Sequence, residues 1–460
     1  MALRTRLDKR TGLIIGAVAV VAAAGVTLGL VLSSGGDGGR TTFVSAWSAS
    51  LGGNYVGAWT TDTALIVGTQ TGGLTAYTLA DGARKWSWAP PSGDQVCGMS
   101  PTSPDGYGAV LYGDVAAEDC GSLQLVDTDS GTAHWKQAAS LTDTAAAGTE
   151  PSNNDTLEPS ISGDVVTSPF GNGAFAVYSP TGSGGAPLWS ANPGGAGASL
   201  YDGCDNLDGA AAIGSSVFAL EDGCTTGGTD QLLRYGTATS PTPTKSYPLA
   251  STGGCGTPYL VAEGDYALVY CDNELTPGGS SSLWALPSAG GSLVQLDTSG
   301  VDLAIAMEGF GNNGASSGAT SAQELNLAVF GNTLYLPIAS TPGGANTNGE
   351  GIVAVSLDSG EQLWSKQSGQ GSELVSATAA NAVTVTQDSA GNDELENFAA
   401  ATGATNFAPI PQPTPTTAAG TAATDTSATA YYLLDGNCLI SIATQTAAGT
   451  SIAISRDPIT

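Results

Sequence analysis

One histidine, His134, is all the imidazole in the 460-residue chain. Acid–base schemes and zinc centres that depend on His therefore have almost nothing to work with. Metal-binding cysteine pairs are missing as well. None of the seven Cys forms a CxxC, and no two are adjacent. Basic residues are scarce: Lys and Arg total 12 against 41 Asp and Glu, and from Thr41 onward seven face 39. A body of that sign repels a phosphate backbone, which argues against nucleic acid as a partner. The simplest consequence of the charge is solubility. Beyond the first forty residues there is almost no long apolar pattern with a 3.6-residue period, so a helical domain is not expected. His134, beside Trp135, reads as a surface or packing residue.

What the chain has in abundance is glycine, 65 residues of it, and short β-rich runs between Gly, Asn, Asp and Ser clusters. Only the N-terminus departs from this texture. Residues 1–11 carry Arg4, Arg6, Lys9 and Arg10 and read as a cytoplasmic basic tail. Residues 12–32, GLIIGAVAVVAAAGVTLGLVL, hold no charge over 21 residues, which is long enough for a transmembrane helix. Ala22–Ala24 imitate a signal-peptide cleavage site, but the apolar run continues past them, which favours an uncleaved anchor. The basic flank keeps the amino end inside, so the rest of the chain is exported. Residues 33–42, with SSGGDGGR, form a flexible linker, and 43–460 form the exported body. The expected location is the cell membrane, single-pass, with an extracytoplasmic domain.

That body repeats. YTLADGARKW (77–86), LVDTDSGTAHW (125–135) and VSLDSGEQLW (355–364) each read as a strand, a tight turn on Gly, and a second strand reaching Trp. Aligning the turn glycine gives Gly82, Gly131, Gly182, Gly236, Gly290, Gly360, Gly403 and Gly449, with Gly236 and Gly449 the weakest members. A spacing near fifty residues suits a four-stranded unit. Four short strands cannot bury both faces alone, but sheets stacked round an axis can. The expected fold is all-β: an eight-bladed β-propeller, or seven blades if a weak unit is not one. Trp86, Trp135, Trp189 and Trp364 are expected to pack between blades. AWSAS (46–50) looks like a fourth strand without its first three. Through Trp47 it is expected to pair with the last blade and close the ring.

These motifs resemble the PQQ-like (quinoprotein-type) β-propeller repeat, in LTAYTLADGARKW, LQLVDTDSGTAHW and IVAVSLDSGEQLW. The resemblance is specific for fold and weak for function, since many such proteins bind no quinone. One is the lipoprotein subunit of the outer-membrane assembly machine. A quinoprotein dehydrogenase needs a vicinal disulfide, which this chain lacks, so the resemblance implies a non-catalytic, membrane-anchored member without cofactor.

Cysteines recur in register. Cys97 and Cys120, Cys204 and Cys224, and Cys255 and Cys271 flank the first two strands of units two, four and five. Each pair is expected to form a disulfide in the exported compartment. Cys438 matches a second position with no first and is expected as a free or intermolecular thiol. Other motifs weaken on inspection. GASSG (314–318) and GFGNNG (309–314) match a nucleophile elbow and a dinucleotide fingerprint by letter only, without the surrounding strand–helix frame. DGCDNLDG (202–209) and VDTDSG (126–131) cluster carboxylates on turns, as calcium prefers, but neither is an EF-hand loop. Residues 408–430, rich in Pro, Thr and Ala, read as a surface loop. The functional expectation is a monomeric binding or scaffolding module for a protein or cell-envelope ligand, with no catalytic, cofactor or metal residues assigned. The alternative is an enzyme, a degenerate quinoprotein or a carbohydrate-active hydrolase, working through carboxylates in the channel.

Overall fold

The computed structural model of the protein describes residues 47–458 except 92, 115–118, 139–158, 164, 170–174, 183–184, 192–205, 223–229, 236–239, 250–254, 256, 273–280, 302, 307–325, 339–350, 368–369, 388–392, 410–427, 436–437 and 446–450. Residues 12–32 and the linker 33–42 lie outside it. Among the described residues no helix is long and apolar enough to cross a membrane. The longest α-helix there is one turn, Leu303–Ala306.

The described strands form eight four-stranded antiparallel sheets, each a meander of neighbours in the chain except the last. We number these blades along the chain, 1 (Tyr55–Trp88), 2 (Gln95–Ala138), 3 (Ser160–Ala191), 4 (Asn206–Pro248), 5 (Thr257–Gln295), 6 (Ala328–Gln367) and 7 (Gln370–Pro409). Blade 8 takes three strands from Ala428–Pro458 and its fourth from Trp47–Gly52, with Trp47 opposite Arg456 and Gly52 opposite Ser451. The two ends of the described chain are therefore hydrogen-bonded in one sheet. Gly449 lies outside the described residues, and the strands before and after it, Cys438–Gln445 and Ser451–Pro458, are the second and third of blade 8, not the third and fourth.

Burial follows strand position. The second and third strands are buried on both faces, as in Ala64–Thr69 and Gly351–Ser356. Their near-continuous apolar runs reflect that. Leu65, Ile66 and Val67 are each fully buried, worth about 1.5–3 kcal/mol apiece. Fourth strands lie at the edge and alternate, as in Gln362–Gln367 with Lys366 and Gln367 exposed. First strands of successive blades lie against one another, those of blades 3 and 4 and of 4 and 5 most extensively, so they surround the axis. Every large apolar cluster straddles two neighbouring blades. One joins Trp59, Ile66 and Ala76 of blade 1 to Val96, Val110 and Val126 of blade 2. Another joins Trp47 and Ile440 of blade 8 to Leu65 and Tyr77 of blade 1. The core is thus a set of seams between sheets, and no blade owns one.

The recurring turn is part of each seam. Gly82, Gly131, Gly290, Gly360 and Gly403 all adopt positive φ between the third and fourth strands. In blade 3 that role falls to Gly185 (φ 64) and not Gly182, because the turn there is longer and the glycine nearest the tryptophan of blade 2 is Gly185. At Gly131 a Cβ would clash with the Trp86 ring, so two requirements, backbone angle and space, select glycine together.

Two outcomes follow for stability. Gly131→Ala should cost about 2–4 kcal/mol, from a strained φ plus overpacking, and lower the urea midpoint. Trp47→Ala, at a side chain only 3% exposed, should cost about 3–5 kcal/mol by the same measurement. A cost below 1 kcal/mol at Trp47 would mean that the terminal strand does not hold the ring.

Candidate functional site

Antiparallel connectivity sorts the connections into two ends of the ring. At one, the turn end, first strands join second and third join fourth. At the other, the loop end, second join third and each blade passes to the next. Most turn-end connections are short, such as Gly264–Asp265 and Gly331–Asn332, and the longest, 179–188 and 236–244, have ten and nine residues. The long connections all leave from the loop end, through residues 139–159, 192–205, 296–327, 338–350 and 410–427.

At the turn end the blades clasp one another. The indole N–H of Trp47 donates to Leu79 O at 2.9 Å, that of Trp86 to Thr128 O at 3.1 Å, that of Trp135 to Pro180 O at 3.3 Å and that of Trp364 to Ala400 O at 2.8 Å. Each acceptor opens the third-to-fourth turn of the next blade. Each ring covers that turn's glycine, where a Cβ would approach to 2.6 Å at Gly82, 2.9 Å at Gly185 and 2.7 Å at Gly403. Trp189 packs against Tyr235 of blade 4, ring centroids 4.9 Å apart. One seam is made differently. From blade 4, Arg234 donates through Nε and Nη2 to Ser288 O at 3.0 and 2.9 Å, with its guanidinium over Gly290, while Lys245 Nζ donates to Gly291 O at 2.7 Å. The aromatic signal in the sequence could not reveal these two cations.

A second set of clasps lies nearer the axis. The inner edge of a first strand has no further strand beside it, so its N–H and C=O groups need partners. The indole N–H of Trp59 donates to Ser100 O at 2.7 Å, and Thr102 Oγ1 to Ile161 O at 3.3 Å. The Ala212 N–H donates to Ser160 Oγ at 3.1 Å, Gly214 N–H to Ser162 Oγ at 2.8 Å, and Leu374 N–H to Asn326 Oδ1 at 2.7 Å. Trp59 and Gly108, which makes room for its ring, were not among the residues the motif picked out.

Disulfides belong to the loop end. Cys255–Cys271 is formed, with Cα atoms 5.0 Å apart, just outside the register pair Pro258 and Cys271. Cys97, in the first strand of blade 2, is disulfide-bonded. Cys120 lies in the third strand of that blade, and its side chain is outside the described set, as are Cys204 and Cys224 entirely. Cys438 opens the second strand of blade 8 opposite Asp435, at the turn end. Its backbone therefore does not match Cys271, which is near the other end of a second strand, because the alignment slipped by nearly a strand length. Its side chain is also outside the described set.

The carboxylate motifs resolve into structure. Asp127 Oδ1 accepts the N–H groups of Asp129 and Ser130 at 3.0 and 2.8 Å and the Ser130 hydroxyl at 2.9 Å, so it ties its own turn. Asp129 pairs with Lys85 of blade 1 at 3.6 Å. In DGCDNLDG, Asn206–Gly209 lie in the first strand of blade 4, with a bulge at Leu207/Gly209, and not on a turn. His134 packs against Tyr107 with the rings tilted, centroids 5.2 Å apart. GASSG and GFGNNG lie outside the described residues.

Two carboxyls stand apart. Glu263 ends the first strand of blade 5 and accepts the Val329 N–H of blade 6; burial pushes it up to about 7 against that bond. Glu396, fully buried in the third strand of blade 7, is also pushed up to about 7, first by burial and then by Glu394 beside it. Blade 6 lies between them, so they do not make the facing pair that glycosidic chemistry needs.

Residues 7–221 match the family model PQQ_2, described as outer membrane protein assembly factor BamB. No curated protein matches the chain. Among solved structures it is similar to the computationally designed protein Ika8, at 11% identity over 91% of this chain and 100% of that one, TM-score 0.49. It is similar to BamB from Moraxella catarrhalis, at 15% identity over 90% and 100%, TM-score 0.44. It is also similar to a quinohemoprotein alcohol dehydrogenase from Comamonas testosteroni, at 13% identity over 90% and 76%, TM-score 0.47. At such identities none of them assigns an activity. The match from the N-terminal region into blade 4 and the eight four-stranded sheets are consistent with a PQQ-like β-propeller repeat protein.

Proposed function

We propose that the chain is a membrane-anchored, extracytoplasmic scaffold whose propeller binds a protein of the cell envelope through its loop end. The observation that carries this reading is the inequality of the two ends. At the turn end, indole, guanidinium and hydroxyl groups are already engaged by the neighbouring blade. The long connections leave from the other end, where Cys255–Cys271 ties the base of one blade. Binding residues favour such connections on a rigid support. The family description, an assembly factor, points the same way, toward protein rather than small-molecule partners. The anchor rests on the 21 uncharged residues at 12–32 and their basic flank.

The test is a pull-down of the full chain from detergent-solubilised envelope of its own cells, followed by mass spectrometry. The expected outcome is stoichiometric recovery of a small number of envelope proteins. Replacing 410–427 or 307–325 with a short Gly/Ser link, which keeps the core residues Leu303, Ala306 and Leu327, should reduce recovery at least roughly tenfold while leaving the thermal midpoint unchanged. Recovery of saccharides alone, or partner binding that survives every loop-end replacement, would overturn the reading.

A further inference from the structure

Most seams are closed by neutral groups, and internal comparison makes the exceptions visible. In blades 1, 2, 6 and 7, counting back seven residues from the turn glycine marks the third-strand position that faces the preceding blade. Thr75, Gln124 and Val353 hold it in blades 1, 2 and 6, and Glu396 holds it in blade 7. Gln124 is 4% exposed, and its amide donates to Leu125 O and Trp135 O. Glu396 is an acid where blade 2 has the isosteric amide. Directly opposite it, on the same face, is Thr384, whose Oγ1 is buried with no hydrogen-bond partner among the described residues. The same comparison holds on the other side of blade 6. At the end of the first strand, blade 3 meets the next blade's N–H with the hydroxyl of Ser162, whereas blade 5 uses the carboxyl of Glu263.

We propose that blade 6 is seated between two proton-carrying seams, so that its hold in the ring weakens as the surroundings turn from acid to alkaline. The groups around each carboxyl fit this. Glu394 shares the face of Glu396. Across the seam stand Tyr335 and Lys366, whose stem packs on the Gly403 turn while its ammonium end stays exposed. Beside Glu263 are its register partner Tyr266 and the neighbouring Asp265, and Tyr266 donates to Asp358 at 3.2 Å. Asn332 donates to the other oxygen of Asp358 at 2.9 Å. The charges nearest both carboxyls are thus largely negative. Both folded-state values, about 7, lie above the ordinary 4.5. A raised acid binds its proton more tightly in the folded state. Stability is therefore whole below about 4.5, falls between 4.5 and 7, and is level above that.

The test is hydrogen exchange on the full chain at pH 5 and pH 8, with protection corrected for the intrinsic rate. From pH 5 to pH 8, protection of 328–337 and 351–367 should fall roughly tenfold or more relative to 107–114 in blade 2. In the double variant Glu263→Gln, Glu396→Gln that difference should vanish. The converse variant Gln124→Glu should bring the pH dependence to the seam of blades 1 and 2. Equal changes in blades 2 and 6 of the native chain, or a blade 6 response that persists in the double variant, would overturn the proposal. The native comparison decides even if a variant does not fold.

Discussion

The structure depends on one contact more than any other: an aromatic ring of one blade lying over the turn of the next. A four-stranded sheet of this size exposes two apolar faces, and burial of those faces is the dominant favourable term in folding. Each face can be covered only by a neighbour. The indole does this and donates its N–H to a turn carbonyl that would otherwise face the seam, so the polar cost of burial is met by the same residue that supplies the area. Glycine beneath the ring is required twice, for backbone angle and for space. That explains why the strand–turn–Trp motif recurs even where the rest of a blade has little in common.

Seams differ once that requirement is met. Blade 4 substitutes a guanidinium, which lies flat over Gly290 and donates twice to one carbonyl, as a planar fork can. Blade 5 has a fourth strand of only two residues, and backbone groups take over. The Asp297 N–H donates to Gly360 O at 2.7 Å, and Gln362 Nε2 reaches Ser299 O at 2.7 Å. The one-turn helix Leu303–Ala306 fills the volume the short strand leaves, placing Leu303 and Ala306 in the shared cluster. Each solution covers the same surface with different chemistry.

Much of this was legible in the sequence because the motif joins two signals with separate physical origins. Turn glycine and strand Trp at a fixed offset specify the third and fourth strands and the direction of packing. The terminal strand at Trp47 was legible for the same reason: WSAS matches a fourth strand with no blade of its own. Misreadings arose where one signal was missing. At Gly182 the longer turn shifted the required glycine to Gly185. At Gly449 the fourth strand comes from the far end of the chain, so no such turn exists there. Cys438 was aligned by spacing alone, and spacing does not say which end of a strand a residue occupies. Arg234, Trp59, Glu263 and Glu396 carry no local pattern. Their roles exist only across a seam, between residues tens of positions apart.

Ring closure is what allows such unequal seams. In an open stack, a weak seam separates the array there, and nothing but the chain connection brings the parts back. In a ring whose last sheet contains strands from both ends of the described chain, two blades at a weak seam remain held in place by the others. The conformational freedom gained on loosening is then small, because the blades stay near their bound positions. A charged or polar substitute that would split a solenoid costs a closed propeller only its local burial energy. Closure therefore does more than cover two edges. It lets Arg234 and a two-residue strand each stand in for the aromatic clasp, and lets Glu396 stay buried in a seam that keeps one, without loss of the fold.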